Sequence, residues 1–253
     1  MFGKKYKLMD ETYYIGNRAV HPIRALKSFP VSPNVCVKEG DIGGFVESEK
    51  NLSQDGTCWI FDNAVVLGDA TVRDKARVMG NAIVEGSAVI EEIALVCDHA
   101  HVCDHARIRG ISYISGNARV KHQAKVCGAA EMNGYACIGG HATLAGQAVL
   151  GGHAAVLGQM QIAGKVSLYV GMFLGSGILV QIDNIFSVSN IAPERDILFW
   201  KDLSGNIHVE YHEVDHIGLD NFALYMEESE EEPYIKNRIK DLIRYAETYY
   251  NKK

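Results

Sequence analysis

An aliphatic residue, with Met132 the one variant, stands at every sixth position from Ile60, Val66, Val72 and Val78 through to Leu168, Leu174 and Val180. Four residues after each lies a small slot, filled by Ala at 15 of 20 positions between Ala64 and Ile178. Its exceptions are Ser112, Met160, Val166, Met172 and Ile178. Two residues after the aliphatic position comes Gly in 12 of 20 cases, often followed by Asn, Asp, His or Gln. Residues two apart in a strand share a face, so the small slot and the next aliphatic both point inward. The pair between them supplies a corner, because Gly, Asn and Asp accept the positive φ of a tight turn. Each hexad therefore reads as one short strand and one turn. A helix is excluded, since a period of six sweeps apolar residues around its whole circumference. One such unit cannot bury its own apolar face, so the hexads must stack as a solenoid with strands about 4.8 Å apart.

The two ends depart from this period. Thr12–Ile15 and Ala19–Ala25 are β-like runs joined by Gly16-Asn17-Arg18, a hairpin signal, and residues 1–38 predict a cap over exposed strand edges. Beyond Val180 the hexad lapses, and Ile197–Trp200 and Ile207–Tyr211 flank a second hairpin signal, Ser204-Gly205-Asn206. Pro233–Tyr250 predicts a helix with Ile235, Ile239, Leu242, Ile243, Ala246 and Tyr249 on one stripe. The acidic run Glu227-Glu228-Ser229-Glu230-Glu231-Glu232 reads as a solvated connector. The chain thus divides into a β cap (1–38), an all-β solenoid (39–182) and a small α+β domain (183–253).

The repeat form seen at Val78-Met79-Gly80-Asn81-Ala82 resembles the hexapeptide repeats of left-handed parallel β-helices, and especially YdcK-like proteins of bacteria, phages and prophages. The segment Gly40-Asp41-Ile42-Gly43-Gly44-Phe45-Val46-Glu47, then Glu49-Lys50-Asn51-Leu52-Ser53 and Cys58-Trp59-Ile60, is similar to that group's lead-in. The resemblance spans residues 1–200 and is strongest over 40–182. It implies three hexads per coil and a left hand. Spacing alone implies neither, and parallel crossovers are ordinarily right-handed. On that footing residues 60–182 make roughly seven coils, a prism about 30 Å long.

Composition narrows the function classes. Apolar residues are 47% and charged residues 22%, so the chain is neither disordered nor collagen-like. No run of eighteen apolar residues exists, and Met1-Phe2-Gly3-Lys4-Lys5 lacks an apolar signal core. Both facts argue against a membrane span and a secretory signal. Six cysteines without CxxC spacing read as reduced thiols of a cytosol. A net charge of −6 argues against a dedicated nucleic-acid binder. No glycine loop sits in a strand–helix context, and no cofactor is expected.

With three hexads per coil, residues i and i+18 stack. One face then carries Trp59, Phe61, Met79, Leu95, Cys97, Tyr113, Val149 and Tyr169, too apolar a strip to face water. Residues 132–182 hold a single formal charge, Lys165. Together these predict a covered surface, by a homo-oligomer, trimer or dimer, in preference to the chain's own C-terminal domain folding back; trimers are what the resemblance implies. Between Asp104 and Glu131 the charged residues are Arg107, Arg109, Arg119, Lys121 and Lys125, with no acid among them. Stacking sets Arg107 over Lys125 and the others on neighbouring faces. The expectation is a compact positive belt, able to hold an anion or an acidic partner by charge-assisted hydrogen bonds.

Catalytic candidates are fewer. The resemblance to hexapeptide-repeat acyltransferases implies a His general base at a subunit seam. His99, His105, His141 and His153 occupy corner slots that elsewhere hold Asn, Asp or Gln, and so read first as corner hydrogen-bonders. His141 and His153 are the candidate bases, although the unbroken hexads leave no loop to wall an active site. Zinc carbonic anhydrases of this fold need three converging His, and here His99 and His153 stand about 14 Å apart, too far to share zinc. His208, Glu210 and His212 would share one strand face, a permissible metal set whose simpler reading is a polar edge. His101 and Cys103 lie two apart on one face without a third group to orient them. The function expected is non-enzymatic binding in a bacterial host's cytoplasm. A phage-type protein of this kind would counter host defence by holding a defence protein or an anionic nucleotide signal. Alternatives are an acyl-CoA-dependent transferase and a structural scaffold.

Overall fold

The computed structural model describes residues 3–168, 172–173, 176–181, 185–192, 195–201, 205–211 and 214–251. Three walls of parallel two-residue strands wind into a left-handed β-helix of about seven turns. The first wall runs from Trp59–Ile60 through Arg77–Val78, Leu95–Val96, Tyr113–Ile114 and Glu131–Met132 to Ser167–Leu168. A second wall includes Val65–Val66, Ile83–Val84, His101–Val102, Arg119–Val120, Cys137–Ile138 and Ala155–Val156. Thr71–Val72, Val89–Ile90, Arg107–Ile108, Lys125–Val126 and Thr143–Leu144 belong to the third. Partners pair at i and i+18, as in Arg107↔Lys125 and Arg119↔Cys137. The rule favouring right-handed crossovers concerns connections that pack back onto one sheet; here each connection is a corner leading to a different wall.

The interior is what the hexad demands. Every sixth-place residue from Ile60 to Ile162 is fully buried, and so is every alanine of the small slot. Each large side chain so buried contributes roughly 1.5–3 kcal/mol. Ser112 fits the same slot because its hydroxyl donates to the Arg109 carbonyl at 2.6 Å.

The corners show a second regularity. Every position two after the aliphatic, from Asp62 to Gly164, has φ between +53° and +80°. Six of these are not glycine: Asp62, Asp74, Glu92, Asp98, Asp104 and His122. Each compensates in the same way, its side chain accepting the backbone N–H of the equivalent corner one coil on. The acceptors serve Gly80, Glu92, Gly110, Gly116, His122 and Gly140, at 2.8–3.1 Å. A hydrogen bond to the neighbouring coil thus offsets the left-handed conformation.

At the N-terminal end Tyr13–Ile15 and Arg18–Ala25 form the expected hairpin, and Tyr6–Leu8 adds to its other side. Ile42–Val46 pairs antiparallel with Arg18–Ala25 and parallel with Val65–Val66, which joins this cap to the second wall. The cap also accounts for Trp59. That indole is 1% exposed, with Tyr6 and Phe29 edge-on at ring centroids of 6.3 and 5.5 Å. Trp59 therefore leaves the expected oligomer strip, because this chain's own cap covers it.

The hexad frame slips near its end. Val156 pairs with Phe173 and Ile162 with Leu179, so the offset falls to i+17 after Leu168 and the extrapolated position Val180 loses its register, while Leu174 lies outside the described residues. Beyond the solenoid, Ile185–Ala192, Arg195–Lys201, Ile207–Tyr211 and Val214–Gly218 form an antiparallel sheet. Helix α1 (Leu219–Glu228) and helix α2 (Pro233–Asn251) pack with it. The apolar stripe of α2 buries Ile235, Ile239, Ile243, Ala246 and Tyr250. Glu227 and Glu228 close α1 rather than belonging to a connector. Among the described residues no helix is long and apolar enough to cross a membrane.

Candidate functional site

The third wall presents the basic residues. Arg107 and Lys125 lie in register on adjacent strands and are both exposed. On one side of this pair an open recess of about 450 Å³ is lined by His105, Gln123 and His141 as well. On the other, a recess of about 320 Å³ is lined by Arg109 and Glu91 with the same two cations. His105, Gln123 and His141 stand one above another at successive coils of the corner, and His122 with Asp104 lines its outer flank. The result is a shallow groove across one wall, with cations along its middle and imidazoles on its rim.

Its electrostatics are unbalanced. Elsewhere charged side chains find a partner of opposite sign: Arg73 is bonded to Glu91, and His101 Nε2 lies 2.8 Å from Glu85 Oε1. Among the described residues none of Arg107, Arg109, Arg119, Lys121 and Lys125 takes part in a side-chain ion pair. Like charges on directly neighbouring strands are destabilising. Glu91, the carboxylate that lines the recess with Arg107, Arg109 and Lys125, is already held by Arg73, and Asp104 on the outer flank accepts the His122 N–H.

The five cations do not form one compact belt. Arg119 and Lys121 belong to the second wall, around the corner, and line neither recess. Their outward directions diverge at the corner, as the stacking predicts, whereas Arg109, expected on a neighbouring face, lines a recess together with Arg107 and Lys125. Of the candidate bases, His141 reaches the groove and His153 does not; His153 stacks on Tyr135 at another corner, with ring centroids 5.1 Å apart and planes 3° from parallel. His105 and Gln123 were legible only as corner residues, and His122 carried no signal beyond its place in the hexad.

The His101–Cys103 pair also separates. His101 turns to Glu85, while burial, and then Asp104 and Glu85, push the Cys103 thiol up to about 11. A raised thiol stays protonated and unreactive at neutral pH. Alkylation of Cys103, followed by peptide mapping, is expected to accelerate about tenfold per pH unit until pH approaches that value. A rate already on its plateau at pH 8 would contradict this environment.

The first-wall strip is broken rather than continuous, since Arg77 stands in register between Trp59 and Leu95, and Glu131 between Tyr113 and Val149. Phe61 packs against the core, and Cys97 is buried with its thiol donating to Tyr113 Oη at 3.4 Å. Met79, Leu95 and Val149 are half-buried and Tyr113 is exposed; Tyr169 lies outside the described residues. In the C-terminal sheet His208 stacks on Trp200 at 5.3 Å. His212 and the side chain of Glu210 fall outside the described residues. Among the described residues no three His, Cys, Asp or Glu converge to hold a metal ion.

No protein-family model and no curated protein matches the chain. Its chemistry is read from the groove itself.

Proposed function

We propose that this is a non-enzymatic binding protein whose third-wall groove holds a phosphate-bearing anion, a nucleotide signal or an acidic surface of a defence protein. The observation that carries this reading is the in-register Arg107–Lys125 pair, unneutralised and flanked by Arg109, His105, Gln123 and His141. Guanidinium and ammonium groups bind phosphate oxygens by charge-assisted hydrogen bonds, and the imidazole and amide groups add further N–H donors. A rigid stacked wall pre-orders these groups, which lowers the entropy cost of capture. Resemblance to YdcK-like repeats supports a phage or prophage setting in a bacterial cytoplasm and self-association of the prism.

Isothermal titration with cyclic nucleotides and ADP-ribose is the direct test. Saturable heat that weakens as salt rises is expected, because the groove is open to solvent. Absence of heat from every such nucleotide removes the small-anion form and leaves the acidic protein partner, measured by capture on the immobilised chain.

His141 beside two cations favours a second reading, an acyl-CoA-dependent transferase in which the cations hold the CoA phosphates and His141 is the base. That reading expects a thermal shift with acetyl-CoA and loss of turnover in His141→Ala with the fold retained. No shift at millimolar CoA would remove it.

A further inference from the structure

A different pair of side chains lies where the N-terminal cap meets the first coil. Lys5 is 1% exposed and Cys58 is fully buried. Lys5 Nζ sits 3.2 Å from Cys58 Sγ and donates to the carbonyls of Cys58 at 3.0 Å and Asp55 at 3.4 Å. The Phe29 ring covers the group, its centroid 5.6 Å from Nζ. Among the described residues Lys5 has no carboxylate partner. Burial lowers the lysine's pKa and raises that of the thiol, so the pair rests as neutral amine beside protonated thiol, with the amine placed to take up the thiol proton when sulfur reacts.

The contact is held from both sides. Gln54 Oε1 accepts the backbone N–H of Lys5 at 2.8 Å, Gln54 Nε2 donates to the Tyr6 carbonyl, and Tyr6 Oη donates to the Leu52 carbonyl at 2.6 Å. Nitrogen and sulfur are therefore kept together without being bonded, a placement that gives a high effective concentration. A direct N–S bond would require them to close by roughly half their separation through a packed interior. An inserted oxygen spans most of that gap.

We propose that Lys5 and Cys58 form an oxidation site at which hydrogen peroxide joins the two side chains through a bridging oxygen and locks the cap to the first coil. The chemistry balances with two equivalents of peroxide. Lys5 takes the Cys58 proton, the thiolate attacks one peroxide oxygen and the O–O bond breaks, and the hydroxide released recovers that proton from the ammonium, leaving a sulfenic acid, neutral amine and water. The amine lone pair attacks a second peroxide in the same way, giving a hydroxylamine and water. The hydroxylamine oxygen then attacks the sulfenic sulfur and expels a third water, leaving N–O–S. Sulfur and nitrogen each lose two electrons, and each peroxide gains two. Peroxide enters by local opening at the strand Tyr6–Leu8 that directly follows Lys5, the outermost of its sheet.

The test treats the full chain with excess hydrogen peroxide, removes the peroxide with catalase, blocks free thiols under denaturing conditions and maps peptides by mass. The expected product is a cross-linked pair containing Lys5 and Cys58, heavier than their sum by one oxygen less two hydrogens and separated by dithiothreitol. A rise in melting temperature after oxidation, absent in Cys58→Ser, is expected alongside it. Lys5→Arg keeps a long basic side chain but removes the amine, and should leave Cys58 as sulfenic or sulfinic acid with no cross-link. If neither variant folds, the peptide map of the native chain decides by itself. Recovery of Cys58 unmodified or as sulfinic acid with the Lys5 peptide unchanged overturns the proposal, as does a cross-link lacking the oxygen.

Discussion

Gly110→Ala is expected to destabilise the solenoid by about 2–5 kcal/mol, from strain and overpacking together. Gly16→Ala, at a similar positive φ, is expected to cost only about 1–2 kcal/mol. The comparison isolates stacking from backbone conformation. Gly110 has φ +80°, and a Cβ there would meet the Gly128 carbonyl oxygen at 2.3 Å and its nitrogen at 2.7 Å. Gly16 has φ +62° with nothing within 4 Å. The Gly128 backbone cannot retreat, because Ile111 N–H donates to its carbonyl at 2.7 Å. Urea unfolding of the two variants measures the difference. Equal midpoints would mean that the corners tolerate side chains and that coil-on-coil contact is not what selects glycine.

The second large effect concerns the groove. Reversing both Arg107 and Lys125 to Glu is expected to weaken anion binding about 100-fold or more, since each charged hydrogen bond lost is worth about 1.5–3 kcal/mol. Reversing Arg119 and Lys121 changes net charge by the same amount but acts from the second wall. At ordinary salt that pair should cost less than about threefold, because exposed charges beyond a Debye length are screened. Titration of both variants beside the native chain separates a site from a field. Equal losses in the two would show that overall charge governs capture, and no loss in the first would remove the groove from the binding account. Arg107, Arg119 and Lys125 are exposed strand positions and Lys121 is a half-buried surface residue just past its strand, so the melting temperature should stay close to native.

Legibility in the sequence followed periodicity. A hexad needs no partner to be recognised, because each repeat states the same inward pair, and Val120 with Ala124 reads like Val84 with Ala88. The corner geometry was half legible. Gly and Asp announce positive φ, whereas Glu92 and His122 take it only because the next coil presents an N–H to their side chains. Where the period fades, so does the reading: the one-residue slip after Leu168 and helix α1 carry no hexad mark.

Composition and period by themselves determined an unbranched prism, its small-and-large interior and the cluster of cations at its middle, because inward packing repeats locally along the chain. Only the folded arrangement decided that Arg109 joins Arg107 and Lys125 in one groove and that His105, Gln123 and His141 rim it, since the direction a side chain takes near a corner depends on the turn and not on its place in the hexad. It alone covered Trp59 with the cap and set Lys5 against Cys58, contacts between distant segments that no local pattern encodes.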